Sequence, residues 1–492
     1  MPIKENYSYA IVSYDPVIRQ AKYEVIEQLL EPEELEHLKK IKAYLEETIS
    51  TTMSDFGSLD EAGEFLRCNM EEANNLYKLN LSEKSKDKIM YFLIRDQIHF
   101  GRMDVMMRDP FIEDISCNGP GIPLYIWHRT FESIPSNVEF SSHEELDSYI
   151  IRLAYKAKRM ISVANPLLDA SLPDGSRIQL TYSKYVTKKG STYTIRKFKA
   201  DPLTIVDLII NQTISAEIAA LLWFIIENKS SVFVCGGVAS GKTTMLNCLS
   251  SFIAPDSKIV TIEDTPEVQL YHKNWIRAVT RPSTGSSEEI SLFDLLKASM
   301  RQRPDYILVG EIRGEEAYTL FQAMSTGHLG LATLHAEDAT SALRRLEGEP
   351  MRIPRVMISG LNIVMVMARR EIDDQPIRKV IECAEVKGLG SKGEIKVDML
   401  FQWDPIEDDW PLLSESYYLQ KAAKMRGITV KEAKHDIKMR ADILSYMAEN
   451  NRRSFAEVTQ VIRDYIKVPV TLHESLSAQR ARDLGEKTNE EN

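Results

Sequence analysis

Cysteine is scarce in this 492-residue chain, and the five present, Cys68, Cys117, Cys235, Cys248 and Cys383, form no C-x-x-C pair. That scatter excludes a disulfide framework or a zinc cluster and leaves buried, reduced thiols as the reading. Long apolar runs are missing too: the most apolar stretches, 219–226 and 362–368, fall well short of the roughly 18 residues that a bilayer span needs. The opening Met1-Pro2-Ile3-Lys4-Glu5-Asn6 has no signal-peptide apolar segment. The expectation is therefore a cytoplasmic protein, peripheral at a membrane only where partners hold it there. Positive charge is in deficit, 61 Lys and Arg against 72 Asp and Glu, for a net charge of −11. An acidic balance of that size argues against gripping a nucleic-acid backbone, so no nucleic-acid partner is expected. Apart from these gaps the composition is that of a folded soluble protein, 43% hydrophobic and 27% charged, and the length suggests roughly two to four domains.

What the chain does contain is organised around one stretch. Val232-Phe233-Val234-Cys235 reads as a short buried strand, and Gly236, Gly237, Val238, Ala239, Ser240, Gly241, Lys242 and Thr243 fit G-x-x-x-x-G-K-[ST], with Thr244 following. Glycines at 236, 237 and 241 let successive backbone N–H groups turn toward a polyphosphate, where a Cβ would obstruct them. Lys242 is placed to reach the β- and γ-phosphates of ATP, and the Thr243 hydroxyl to coordinate Mg2+. Met245, Leu246, Leu249, Phe252 and Ile253 continue at helical spacing, which completes the strand–loop–helix unit.

Around it the sequence suggests four segments. Residues 1–108 read as an arm, whose Tyr7–Tyr14 is an edge strand or a flexible lead, followed by three helices near 33–49, 59–79 and 82–107. Residues 109–201 read as an α/β domain: strands at 111–116 and 124–127, a helix over 144–160, and alternating strands at 177–182 and 192–198. In the first alternating strand Arg177, Gln179 and Thr181 share one face and Ile178, Leu180 and Tyr182 the other, which turns the arginines outward. Residues 202–214 read as a linker. From 215 to 492 apolar strands alternate with helices, implying a parallel sheet covered on both faces. Beyond about Ser341 the expectation is mostly helix, with a hairpin near 380–401 and a polar tail over 477–492.

Ligands of a parallel sheet lie beyond the carboxyl ends of its strands, which sorts the acidic residues. Strand 259–262 delivers Glu263 and Asp264 there, with Glu267 a turn further on, and strand 306–309 delivers Gly310 and Glu311; Asp305 precedes its strand and reads as structural. Glu311 is the candidate to align a lytic water or hold the metal shell, since phosphoryl transfer relies on positioning and electrostatics. His328 and His335 bracket a third strand with Thr333 between them, and are candidates to sense the γ-phosphate.

Four blocks in this order resemble the secretion and type IV filament ATPases of the type II/type IV secretion class: the phosphate loop; Thr261-Ile262-Glu263-Asp264-Thr265-Pro266-Glu267, similar to that family's Asp box; Ile307-Leu308-Val309-Gly310-Glu311-Ile312-Arg313, similar to its atypical Walker B; and Ser325 through His335, similar to its His box. The resemblance extends into the preceding domain, where it implies that Arg177 and Arg196 serve the nucleotide interface. It implies a RecA-like P-loop NTPase domain with a parallel sheet, preceded by an α/β N-terminal domain carrying a helical bundle. It also implies a cytoplasmic homo-hexamer that binds ATP and Mg2+ between its domains and works a polytopic membrane platform protein, with other cytoplasmic motor-complex subunits as further partners. In that scheme Glu263 and Glu267 support the metal and water shell. The family's bacterial secretion members carry a four-cysteine zinc element that is absent here; this resembles the archaeal branch, most closely the archaellum motor ATPases. Pilus-assembly and protein-secretion ATPases, a DNA-translocating ATPase and a nucleotide-regulated scaffold remain open as other readings.

Overall fold

The computed structural model describes residues 2–4, 7–16, 19–48, 58–198, 202–281, 289–372 and 375–469, and the chain divides into two compact units, Met1–Lys199 and Ala200–Asn492. In the first unit β1 (Pro2–Lys4), β2 (Ser8–Asp15) and β3 (Gln20–Glu27) form an antiparallel sheet in that order, so the expected edge strand or arm is a central strand. Helices α1 (Pro32–Thr48), α2 (Leu59–Leu76) and α3 (Glu83–Leu93) pack around Leu38, Ile41, Leu66, Met70 and Leu93. The third helix ends short of the predicted Met107. A π turn (Ile94–Ile98), a 3-10 turn (Gly101–Met103) and α4 (Asp104–Arg108) replace its second half. The backbone leaves the right-handed path at His99 (φ −93°, ψ −148°), and Gly101 follows at φ 59°.

A six-stranded antiparallel sheet follows: β4 (Ile112–Cys117), β5 (Tyr125–His128), β6 (Glu132–Pro135), then α5 (His143–Lys156), and β7 (Leu167–Ser171), β8 (Arg177–Thr181) and β9 (Thr192–Arg196). Its spatial order is β6-β5-β4-β9-β8-β7. Ile178 and Leu180 point into the core while Arg177 and Gln179 face outward, as the alternation predicts. Ala10 and Tyr23 from the small sheet join this same core, and the Tyr23 hydroxyl donates to Asp109 Oδ2 at 2.8 Å. The arm is thus part of the α/β domain and not a separate module.

The stretch read as a linker, 202–214, lies wholly within the second unit. There α6 (Ile205–Ile210) is capped reciprocally by Thr204 and Asp207 and buries Ile205, Val206 and Leu208. Helix α7 (Ala216–Glu227), apolar on nearly every side and buried throughout its middle, runs into β10 (Val232–Gly236). Next come α8 (Lys242–Ser250), β11 (Ile259–Glu263), β12 (Trp275–Val279), α9 (Leu292–Met300), β13 (Tyr306–Ile312), α10 (Glu316–Ser325), β14 (Leu329–Leu334), α11 (Ala339–Glu347) and α12 (Arg355–Ile358). In the following region the hairpin expected near 380–401 is present and longer, and a further strand before it departs from the helical expectation. β15 (Ile363–Ile372), β16 (Gln375–Leu389) and β17 (Ile395–Gln402) extend the sheet, and only then do α13 (Tyr417–Arg426), α14 (Val430–Glu449) and α15 (Phe455–Lys467) close the unit. The predicted tail over 477–492 lies outside the described residues.

The eight strands lie in the order β12-β11-β13-β14-β10-β15-β16-β17. All neighbours from β12 to β15 are parallel, and β16 and β17 are antiparallel additions. With β14 inserted between the phosphate-loop strand and the acidic strand β13, this is a RecA-like P-loop NTPase domain. β10 is buried along its whole length, at roughly 1.5–3 kcal/mol per large apolar side chain removed from water. It therefore offers a rigid base for the loop at its carboxyl end. Among the described residues no helix is long and apolar enough to cross a membrane.

Candidate functional site

The loop between β10 and α8 is held in shape by its own backbone. Gly236 sits at φ 150°, and a Cβ there would run into the Met367 carbonyl oxygen of β15 and the Ser240 hydroxyl. Gly241 takes the left-handed conformation (φ 92°) that opens α8, and Ala239, at φ 57°, holds the same region without a glycine's freedom. Two side chains converge on one carbonyl: Ser240 Oγ donates to Gly237 O at 2.9 Å and Lys242 Nζ at 2.7 Å. The Lys242 ammonium is largely buried, and that burial lowers its pKa while the Glu311 charge opposes the shift. Val238 stands exposed at the loop's apex, and Thr243 and Thr244 are half-buried on the first turn of α8.

Glu311 reaches the site through a break in pairing. β13 and β14 run in register through Val309↔Ala332 and resume at Ile312↔Leu334, so two residues of β13, Gly310 and Glu311, stand opposite Thr333 alone. This is a β-bulge, a device that re-aims a side chain at the rim of a sheet, and the Thr333 hydroxyl fixes it by donating to Gly310 O at 2.6 Å. Arg313 Nη2 donates to Glu311 Oε2 at 2.6 Å. His335 Nε2 lies 2.9 Å from the other oxygen, Oε1, but outside hydrogen-bond direction, so Oε1 is shielded from solvent with no hydrogen bond. Burial pushes the Glu311 pKa up, and the Arg313 hydrogen bond with the charges of Arg313, His335 and Lys242 more than reverses this. Glu311 is therefore a carboxylate at neutral pH. His335 is shifted down by burial and by Lys242, which favours the neutral ring.

Other expected residues are placed differently. Glu263 is 2% exposed, and its Oε1 accepts from the backbone N–H groups of Glu267 and Val268, both at 2.8 Å. It thus organises the loop after β11, where the sequence suggested direct support of a metal shell. Its Oε2 has no hydrogen bond, with Arg277 Nε at 3.9 Å, and burial raises its pKa to about 7. Glu267 is exposed and meets Glu263 through its backbone. His328 precedes β14 and sits at the amino end of the sheet, opposite the phosphate loop, with Nδ1 3.1 Å from Ala323 O. One chain therefore brings His335 to the loop and leaves His328 away from it. Asp305 is structural, accepting from Lys258 N at 2.8 Å. In the first unit Arg177 and Arg196 are direct cross-strand neighbours on β8 and β9. Arg177 pairs with Asp169 at 2.5 Å and Arg196 with Asp114 at 3.4 Å.

Arg378 carries no sequence signal yet belongs to the site. From β16 its Nε donates to the Ala239 carbonyl at 3.0 Å, and its Cδ lies 3.4 Å from where a Gly241 Cβ would stand. It holds the apex of a loop 139 residues earlier in the chain.

A glycine-bearing loop opening a helix, a buried ammonium, a hydroxyl on the first helical turn and a carboxylate with an orphaned oxygen are together the donor set of a nucleotide site. A family model described as "Type II/IV secretion system protein" matches residues 105–454. The chain belongs to the type II/IV secretion ATPase superfamily. It is 36% identical over 468 residues to an uncharacterised protein of Methanocaldococcus jannaschii, covering 93% of this chain and 84% of that one. VirB11 of Agrobacterium fabrum is 26% identical across 48% of this chain and 76% of its own length. Among solved structures, the DotB ATPase of Legionella pneumophila aligns with 77% of this chain and 95% of its own at 15% identity and TM-score 0.44. The pilus retraction motor PilT with bound ADP aligns with 65% of this chain and 88% of its own at 20% identity and TM-score 0.40.

Proposed function

We propose that this protein is a Mg2+-dependent ATP hydrolase that works as a homo-hexamer and powers assembly of an archaeal type IV pilus-like surface filament, the archaellum. It acts through a polytopic membrane platform protein, at the cytoplasmic face and with other motor-complex subunits. The observation that carries the chemistry is the bulge that turns Glu311 toward the phosphate loop with one buried oxygen unspoken for.

Lys242 exchanges its bond to the Gly237 carbonyl for the β- and γ-phosphates of ATP, and the loop N–H groups cradle them. Thr243 and Glu311 are the groups to hold Mg2+, which when bound neutralises charge on the β- and γ-oxygens. Glu311 aligns a water in line with the γ-phosphorus. The new O–P bond forms as the β–γ bridging bond breaks, yielding ADP and phosphate, and one water proton leaves toward the carboxylate. His335, neutral and 2.9 Å from Glu311 Oε1, reports the state of the γ-phosphate; His328 serves the ring away from its own chain's loop. Glu263 and Glu267 shape the loop beside Glu311. Arg177 and Arg196 stabilise phosphoryl charge in the assembled hexamer, a role for which arginine's planar donor fork is suited.

The test is ATPase rate against protein concentration, with light scattering to follow mass, for wild type, Glu311→Gln, Arg177→Ala and Arg196→Ala. Specific activity is expected to rise as the hexamer forms. It should fall in the arginine variants without loss of assembly, and by roughly 10²–10⁴ in Glu311→Gln with ATP binding retained. A concentration-independent rate insensitive to all three changes would remove the ring-motor reading.

A further inference from the structure

The second unit contains a large feature that hydrolysis does not use. A groove of about 800 Å3 opens between α6, α7, β17, α13 and α14, with Ile209, Leu221, Phe401, Trp410, Leu419 and Ile437 among the apolar side chains lining it. Its lips are apolar yet wet: Leu412 is 60% exposed and Val430 37%. Apolar surface left open around a concavity marks an interaction site.

The rim carries one sign of charge. Glu217, Asp408, Asp409 and Glu415 line it against a single cation, Lys434. That lysine is already taken by Glu415 at 3.0 Å. Asp408 is held by Lys379, at 2.6 and 2.8 Å to its two oxygens. The carboxylates of Glu217 and Asp409 are left for an incoming partner. The lip is also built in advance: Lys379 is buried beside the rings of Trp403 and Trp410, and Trp410 Nε1 donates to Val380 O at 2.6 Å. A preformed lip spares the ordering cost that association otherwise imposes.

We infer that this groove is the docking site of a Lys/Arg-rich amphipathic helix, its apolar face in the groove and its basic flank against Glu217 and Asp409. The charge decides among occupants. A segment without positive charge would leave Glu217 and Asp409 without a counter-charge, and an anionic lipid would find Lys434 and Lys379, both already paired. Cytoplasmic loops of membrane proteins, by contrast, are enriched in Lys and Arg, so the platform protein of the proposed function supplies such a helix; that identity of the partner rests on that reading. Leu221 ties the site to the machinery, because α7 runs straight into β10 and the phosphate loop.

The probe is a fluorescein-labelled 18-residue peptide with Leu at helical i, i+3, i+4, i+7 spacing and Lys elsewhere, compared with its Leu/Glu counterpart. Anisotropy is read on the full-length protein, with the ATPase rate measured on the same preparation. The Leu/Lys peptide is expected to bind and the Leu/Glu peptide not. Affinity should fall at least tenfold in the double variant Glu217→Lys, Asp409→Lys and in Leu412→Asp, all at exposed positions, and stay unchanged in Asp256→Lys, an exposed acid elsewhere on the unit. Equal binding across all variants, or binding of the Leu/Glu peptide, overturns the site. Loss of self-association in the groove variants, seen by light scattering, overturns it in favour of a second copy. Hydrolysis without peptide binding sinks the groove and leaves the enzyme standing, whereas binding without hydrolysis does the reverse.

Discussion

Glu263→Gln separates structure from catalysis by pH. Glu263 is 2% exposed, with one oxygen spent on two backbone N–H groups and the other lacking a hydrogen bond. Burial lifts its pKa from an ordinary 4.5 to about 7. Between those values the folded chain holds a proton that the unfolded chain has lost, so stability falls as pH rises through this window, and the full penalty is felt above about 7. The gap corresponds to on the order of 3 kcal/mol at about 1.36 kcal/mol per tenfold change in proton affinity. Glutamine keeps an oxygen for the Glu267 and Val268 N–H groups and carries no charge, which removes the penalty. Urea denaturation at pH 5 and pH 8 measures this, followed by tryptophan fluorescence; Trp275, whose Nε1 donates to Thr261 Oγ1 on β11, reports from beside the site. The variant's stability relative to wild type should improve by about 2.5 kcal/mol from pH 5 to pH 8, other titrations cancelling in the difference. Parallel pH profiles, within about 1 kcal/mol, would refute the assignment of Glu263 as a buried, desolvated acid.

Two other substitutions probe the frame of the site. Arg440 is 1% exposed, bonded to Glu227 at 2.6 Å and Asp436 at 3.1 Å, with its guanidinium 4.7 Å from the Trp223 ring centroid and 4.8 Å from that of Tyr465; Arg440→Ala strands Glu227, while Asp436 keeps Arg426 and the Tyr465 hydroxyl, and should cost about 3 kcal/mol, read as a Tm fall on the order of 10 °C, and Arg440→Lys should not restore it because the guanidinium plane against the rings is lost. Arg378→Ala frees the Ala239 carbonyl at the loop apex and, since Arg378 is exposed, should raise KM for ATP by roughly 3–10-fold, on the order of one charged hydrogen bond, with Tm nearly unchanged; an unaltered KM would show that the apex needs no clamp.

The parts of this fold that sequence reveals are those where local rules agree. The strand–loop–helix around Lys242, the strands ending at Glu263 and Glu311, and the structural role of Asp305 all follow from apolar runs and from the rule that a parallel sheet acts at its carboxyl edge. Strand β15 and the full length of β16 hide for a physical reason. Ile363 to Met367 is buried on both faces, so it has no alternation to read, and bulges interrupt the pairing of β16 at Val366/Met367, Cys383/Ala384 and Val386/Gly388. The hairpin expected near 380–401 is β16 with β17, but β16 begins at Gln375, so Arg378 falls before the expected start. The segment 202–214 looks like a linker because a six-residue helix has no room to show a period; its capping box, Thr204 with Asp207, is the signal that was there to find. His328 and His335 share one motif, and only the strand between them places one at the loop and the other at the far end of the sheet. The bulge at Glu311 requires knowing its partner strand, and no local pattern supplies that.

In the proposed reaction, the groups assigned to the nucleotide are held by partners that can be exchanged. Lys242 rests on the neutral carbonyl of Gly237, and a phosphate oxygen adds an opposite charge to that ammonium's hydrogen bond. Arg313 pairs with Glu311 Oε2 while 63% of its side chain remains in water, so its hold is worth little and can be exchanged. Thr333 and Gly236, by contrast, are fixed by bonds and sterics within the sheet itself. The frame is thus rigid where geometry must be kept and loose where charge must move, the arrangement a site needs if binding energy is to be realised at the reacting phosphate instead of in the resting protein.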